Sequence, residues 1–203
     1  MKTKKIIFIL LLPLILEIVV SCCECIEPIF QKYTNKALSI NNLDNSGREP
    51  IVSTSTSIIK TAYGIRIQLL GEKIAGIERP NSIFIQSAFA FTKCNCPPSY
   101  QFLPKDSITT IKILSLNDFN STHSANSEIS DYFKVYKYYS FSTIQDYIRN
   151  TNPVLNYESD LAIKIDLLLM TAPTINNQHK FRVQITLSDG RVLEQDTSII
   201  ELI

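Results

Sequence analysis

The chain has 203 residues, a net charge of +1 and no tryptophan, and no basic or acidic block stands out. Near-neutrality excludes nucleic-acid binding driven by charge, and the length suits one domain with a real core, not two full-sized ones. Abundant Ile, Thr, Tyr and Phe favour strands over helices.

The N-terminus carries an address. Met1-Lys2-Thr3-Lys4-Lys5 is basic, and Ile6 to Val20 is almost wholly apolar, broken by Pro13 and Glu17. A basic start, an apolar run of roughly 15 residues and a small residue before the cut form a secretory signal. A membrane-spanning helix needs about 20 apolar residues, and Glu17 would be costly in hydrocarbon. Val19-Val20-Ser21-Cys22 looks like a bacterial lipobox, in which the Cys22 thiol takes a diacylglyceryl thioether and its freed amine a further acyl chain. Several acyl chains give stable anchoring, at about 0.8 kcal/mol per buried methylene. The competing readings are an uncleaved anchor and an ordinary signal that happens to precede a cysteine. The expected organisation is a signal peptide over 1–21, a lipid-anchored cysteine-rich start over 22–27, and a single domain over 28–203. The expected location is the bacterial cell envelope, with the outer membrane as the lipid-anchored site.

Five cysteines are present, Cys22, Cys23, Cys25, Cys94 and Cys96. With Cys22 lipidated, four remain in two Cys-x-Cys pairs, and an even set in an exported protein reads as disulfides. The expected bridges run from Cys23 and Cys25 to Cys94 and Cys96, in either order. Each closes a loop of about 70 residues, for which chain entropy predicts roughly 4 kcal/mol. Free thiols are one alternative. A four-thiolate zinc site is another, but structural zinc usually has two or more residues between paired cysteines. No metal and no cofactor are expected.

In chain order, Ala37 to Leu43 alternates as a short strand with Leu38 and Ile40 on one face, and Asp44-Asn45-Ser46-Gly47 is a turn. Ser57 to Leu70 is a long β segment in which Gly64 suggests a bulge or bend. Gly71 to Pro80 reads as a loop, Ile83 to Phe91 as a strand, and Cys94 to Asp106, with Pro97-Pro98 and Pro104, as a stiff irregular stretch. Ile108 to Leu116 is a strand with Ile111 and Ile113 on one face, and Asn117 to Ser130 is a polar surface loop. A helical turn is expected over Ile129 to Phe133 and a short strand over Val135 to Tyr139. Ser142-Thr143-Ile144-Gln145 reads as a capping box that opens a helix to about Arg149.

The last third has the clearest pattern. Leu161, Ile163, Ile165, Leu167 and Leu169 recur at period two, as do Phe181, Val183, Ile185 and Leu187. Ser188-Asp189-Gly190-Arg191 supplies an Asp-Gly hairpin signal. The returning strand, Val192 to Ile203, turns Val192, Ile200 and Leu202 inward. Seven or eight strands with one short helix predict a mainly β fold, an antiparallel β-sandwich of immunoglobulin-like or transthyretin-like type.

The lipobox, the segment Ala88-Phe89-Ala90-Phe91-Thr92-Lys93-Cys94-Asn95-Cys96-Pro97-Pro98, the strand ending Ser115-Leu116-Asn117-Asp118-Phe119-Asn120, and Leu168-Leu169-Met170-Thr171-Ala172-Pro173 before Phe181 to Arg191 together resemble a family of small exported lipoproteins of Bacteroidota. That family is of unknown function, so the resemblance implies no catalytic residue. Asp106-Ser107-Ile108 also matches the acceptor pattern for O-glycosylation in such bacteria, which would make Ser107 the modified residue.

Catalytic signatures are absent from the sequence: there is no G-x-S-x-G, no glycine-rich phosphate loop and no H-E-x-x-H. His123 and His179 stand in polar surroundings without acidic or cysteine neighbours at ligand spacing, and solvated loop positions are expected for both. Asn117 to Asn120 could offer oxygens to calcium, but capping side chains in a turn are the better reading. Tyr132, Tyr136, Tyr138 and Tyr139 could stack on sugar rings; alternation favours placing half of them in the core. The expected function is a membrane-anchored, non-catalytic binding or structural module with a glycan or an envelope protein as partner. The alternative is an envelope or glycan hydrolase whose carboxylates meet only in space.

Overall fold

A computed structural model describes residues 29–78, 100–150 and 161–203. Among these, the strands are β1 (Ile29–Asp44), β2 (Ile51–Val52), β3 (Ser57–Ile58), β4 (Tyr63–Glu78), β5 (Tyr100–Pro104), β6 (Ile108–Ser115), β7 (Ser127–Glu128), β8 (Phe133–Lys137), β9 (Ser140–Ser142), β10 (Ala162–Leu169), β11 (Gln178–His179), β12 (Phe181–Leu187), β13 (Val192–Asp196) and β14 (Ile200–Leu202). One helix, α1 (Ile144–Asn150), follows β9. The expected strand Ile83 to Phe91, and Cys22, Cys23, Cys25, Cys94 and Cys96, lie outside the described residues.

Among the described residues the fold is mainly β, in three sheets. The largest runs β2-β1-β4-β10-β8-β9, with β5 added parallel to the first half of β1. The second runs β13-β12-β6-β7 and is antiparallel throughout. A small third sheet runs β11-β14-β3. One apolar cluster joins them: Ile65, Ile67, Leu69, Ile163, Ile165, Leu167, Phe133 and Val135 from the first sheet, Ile111, Ile113, Phe181, Val183 and Ile185 from the second, Ile58, Ile200 and Leu202 from the third. Each such side chain, fully buried, contributes about 1.5–3 kcal/mol relative to exposure. The period-two segments of the last third form β10 and β12 as predicted, with their apolar residues inward.

The expected strand Ala37–Leu43 is the second half of a longer one. β1 is 16 residues long because two register shifts against β4, between Gln31 and Tyr33 and between Asn35 and Ala37, absorb its irregular pattern. An extra residue at a bulge flips which side chains face inward. Tyr33 and Asn35 are therefore buried on one side of it, and Ile40 and Asn42 on the other. β4 likewise runs through Gly71 to Glu78, where a loop was expected. Gly64 is not a bulge. It pairs in register with Leu43 and Leu168, and a Cβ there would meet the Leu167 carbonyl oxygen and Leu168 Cδ2 at 2.7 Å each. Its role is close packing between strands.

Four further expectations change. Tyr100 to Pro104 is a strand, because pairing along β1 supplies the partners its own sequence does not advertise, and Phe102 is fully buried. The Asn117–Ser130 loop is polar, yet it folds Phe119 and Ile129 into the core. The helix cap moves by one residue: Ser142 pairs with Val135 as the end of β9, so Thr143 caps α1. The Asp146 N–H donates to Thr143 Oγ1 at 3.0 Å, and that hydroxyl donates to Asp146 Oδ2 at 2.7 Å. Val192 points outward, because it opposes Thr186 on the outer face of β12 while Leu193 opposes Ile185. The turn over Ser130–Tyr132 forms where the helical turn was expected.

Candidate functional site

The outer face of the largest sheet carries one cross-strand row. Asn41 opposes Arg66, Arg66 opposes Asp166, Asp166 opposes Tyr136, and Tyr136 opposes Phe141. Asn41, Arg66, Asp166 and Tyr136 belong together because each is the outward residue of a strand whose inward neighbours are buried, and Phe141 joins them through its pairing with Tyr136. Four interstrand steps of about 4.8 Å make the row about 19 Å long. Arg66 and Asp166 form a two-pronged pair, Nε to Oδ1 and Nη2 to Oδ2 at 2.7 Å each. That hydrogen bonding raises the Arg66 pKa above its ordinary value. Both Asp166 oxygens are occupied by the pair.

At one end of the row β8 and β9 are joined by a two-residue turn, Tyr138-Tyr139, with φ of 50° and 60°. Tight hairpins need positive φ at both turn positions and normally use Asn-Gly. Two tyrosines there are strained, by roughly 1–2 kcal/mol per residue. Both rings are nevertheless open to solvent, Tyr138 at 86% and Tyr139 at 68% exposure. Tyr139 OH donates to Glu49 at 2.8 Å, and that bond to a carboxylate raises the phenol's pKa. Tyr136 meets Tyr139 edge-on at 6.4 Å and Phe141 at 5.4 Å. Lys137 Nζ lies 5.3 Å over the Tyr138 ring. Tyr136, Lys137, Tyr138 and Tyr139, with Glu49, Pro50, Arg66, Lys164 and Asp166, line an open groove of about 420 Å³, and Phe141 packs on Tyr136 beside it.

Alternation had been expected to send half of the tyrosines inward. Instead Phe133 and Val135 take the core positions of β8, which leaves Tyr136 outside, and the turn breaks the alternation before Tyr139. Tyr132 is the inward member, packed on Phe119 and against His123. The groove's other half comes from Arg66 and from Lys164 and Asp166, the polar face opposite the period-two apolar residues of β10, which carries no site signal of its own. The one sequence signal was negative: a hairpin without glycine, asparagine or aspartate at its turn.

The remaining predicted residues are dispersed. Ser107 is exposed, its N–H donating to Ser188 Oγ at 3.0 Å and its carbonyl accepting from the Ser188 N–H at 2.8 Å. Its neighbour Asp106 is buried and accepts from the Asn35 N–H and Nδ2, from Thr34 Oγ1, and from Arg191 Nη2 at 2.5 Å. That cluster ties β1 to the β12–β13 hairpin. The Asn117–Asn120 oxygens cap backbone N–H groups of Lys180, Ala125, Thr122 and His123. His123 is half-buried, its Nδ1 3.0 Å from Asn120 Oδ1. His179 is a correction: it is fully buried, stacked at 5.8 Å and 9° on Phe181, and burial lowers its pKa. Its segment pairs with β14 and carries the ring under Phe119, which its polar sequence neighbours do not foretell. Among the described residues no cluster of three or more His, Cys, Asp or Glu gathers as a metal site.

The molecule is thus a mainly β protein with an aromatic and charged groove on an open sheet face. The family model described as a domain of unknown function, DUF5034, matches residues 35–198, and the chain belongs to that family. No curated protein and no solved structure matches the chain.

Proposed function

We propose that the protein is an exported lipoprotein, held in the bacterial cell envelope by lipid on Cys22, whose β domain is a non-catalytic binding or structural module for a glycan or an envelope protein. The outer membrane is the proposed anchoring site. The observation that carries the reading is the groove itself: exposed rings beside carboxylates that already have partners. Asp166 is paired with Arg66, and Glu49 accepts from Tyr139. A glycosidase acid needs a raised pKa. Among the described residues the displaced carboxylates go the other way: Arg191 lowers Asp189, and Arg182, then Lys180, hold Asp196 down at about 2.

The two larger sheets share one apolar cluster, which supports an antiparallel sandwich of immunoglobulin-like or transthyretin-like type. The proposed disulfides run from Cys23 and Cys25 to Cys94 and Cys96, in either order, supported by an even set of four cysteines in an exported chain. Mass spectrometry of the Cys23/Cys94 and Cys23/Cys96 double variants reads the pairing: the variant that removes a bonded pair should keep one bridge, and the other should leave two free thiols. The exposed Ser107 hydroxyl suits the proposed O-glycosylation, and Ser107→Ala should abolish the glycan mass increment.

The anchoring is tested by labelling cells with a traceable fatty acid. Wild-type protein should take up label and fractionate with membranes, and Cys22→Ala should accumulate as unlabelled precursor. Undiminished labelling of Cys22→Ala would refute the tether.

A further inference from the structure

The binding-module reading leaves its ligand unnamed, and the groove narrows the choice. Backbone strain at bulky residues persists only where something else selects for it. Here the strained residues are Tyr138 and Tyr139, at the most exposed point of the sheet, where a turn of Asn-Gly would relax the backbone. What the tyrosines add is ring surface. Tyr139 and Phe141 each pack against the Tyr136 ring, Phe141 itself 49% exposed, and Tyr138 stands beside them with Lys137 over its ring. The Glu49 bond fixes the Tyr139 ring before any ligand arrives, which reduces the ordering cost of binding.

Charge then selects the ligand. Arg66 and Asp166 cancel. Lys164 is exposed on β10 and Lys137 stands at the tip, and among the described residues neither makes an ion pair. Aromatic faces meet the C–H faces of pyranose rings, and unpaired ammonium groups beside them suit sugar carboxylates. The groove takes in the row from Arg66 to Tyr136, two interstrand steps or about 10 Å, and continues to the hairpin tip, so it exceeds one ring and accommodates a short oligomer. We propose that this groove binds a carboxylate-bearing oligosaccharide, with Tyr138, Tyr139 and Phe141 stacking on sugar rings and Lys137 and Lys164 pairing with its carboxylates. The proposal rests on the binding-module reading and gives it a ligand class.

The test is calorimetric titration of the full chain in detergent micelles with tetragalacturonate, against maltotetraose and poly-glutamate. Tetragalacturonate should bind at least tenfold more tightly than either and weaken as salt rises. The double variant Tyr138→Asn/Tyr139→Gly should melt at a higher temperature yet bind at least tenfold more weakly. Lys164→Gln should weaken binding threefold or more at an unchanged melting temperature. Failure of tetragalacturonate to bind, or equal binding of poly-glutamate, overturns the proposal. Undiminished binding by the hairpin variant overturns the groove and leaves the module reading standing. New reducing ends released during titration overturn the module reading, and this proposal with it.

Discussion

Two hairpins of this protein solve the same geometric problem in opposite ways. The β12–β13 hairpin turns at Ser188-Asp189-Gly190, and its one left-handed residue is Gly190, at φ 86° with open space around it. The β8–β9 hairpin turns at Tyr138-Tyr139, both left-handed and neither suited to it. The first hairpin is tied down: Arg191 reaches Asp189, Thr34, the Asn35 carbonyl and buried Asp106. The second projects two rings into solvent and is held more lightly, by the bond from Tyr139 to Glu49 and by Ser140 Oγ donating to the Lys137 carbonyl across the turn. A relaxed turn that is clamped serves stability. A strained turn that is left open reads as selected for what it presents. The contrast identifies the groove more firmly than its volume does.

The contrast can be broken at the clamp first. Asp106→Ala would leave the Arg191 guanidinium and the Asn35 amide facing an apolar gap, and should cost about 3 kcal/mol, read by urea denaturation. Gly190→Ala should cost less, about 1 kcal/mol, because open space removes the steric penalty and leaves the backbone one. In the other hairpin the sign reverses. Tyr138→Asn/Tyr139→Gly should gain about 1 kcal/mol, seen as a raised melting temperature. Loss of stability there would mean that the rings serve packing, and the two hairpins would no longer differ in kind.

The smallest effect concerns pH, and again the two turns oppose each other. Arg191 lowers the Asp189 pKa, so that contribution is complete above the ordinary value of 3.8 and fades as pH falls through the folded value. Glu49 raises the Tyr139 pKa, so its contribution is complete below the ordinary value of 10.0 and fades as pH rises through the folded value. Amide exchange at each turn, followed against pH, should show acid loosening of the first and alkaline loosening of the second. Asp189→Asn and Glu49→Gln should each flatten one profile.

The apolar alternation of Ile163 to Leu169 and of Phe181 to Leu187 was enough to predict both strands and their inward faces, because a period-two pattern needs nothing but a sheet to satisfy it. The Asp-Gly signal located the β12–β13 turn for the same local reason. Val192 shows where locality ends: its direction follows from the register across the turn, not from its own character. The groove was less legible still. Arg66, Asp166, Tyr136 and Phe141 come from four strands, and no spacing along the chain announces that they will share a row.

The sequence by itself determined a mainly β chain, the inward residues of its regular strands and the position of its helix to within one residue. Those properties depend on side-chain periodicity and on turn chemistry within a few residues. Tertiary structure alone decided that Tyr100–Pro104 becomes a strand beside β1, that His179 is sealed under Phe119 and against Phe181, and that a glycine-free turn can hold two tyrosines open. In each case the deciding energy comes from a partner distant in sequence, and that partner is set by how the strands pair and stack.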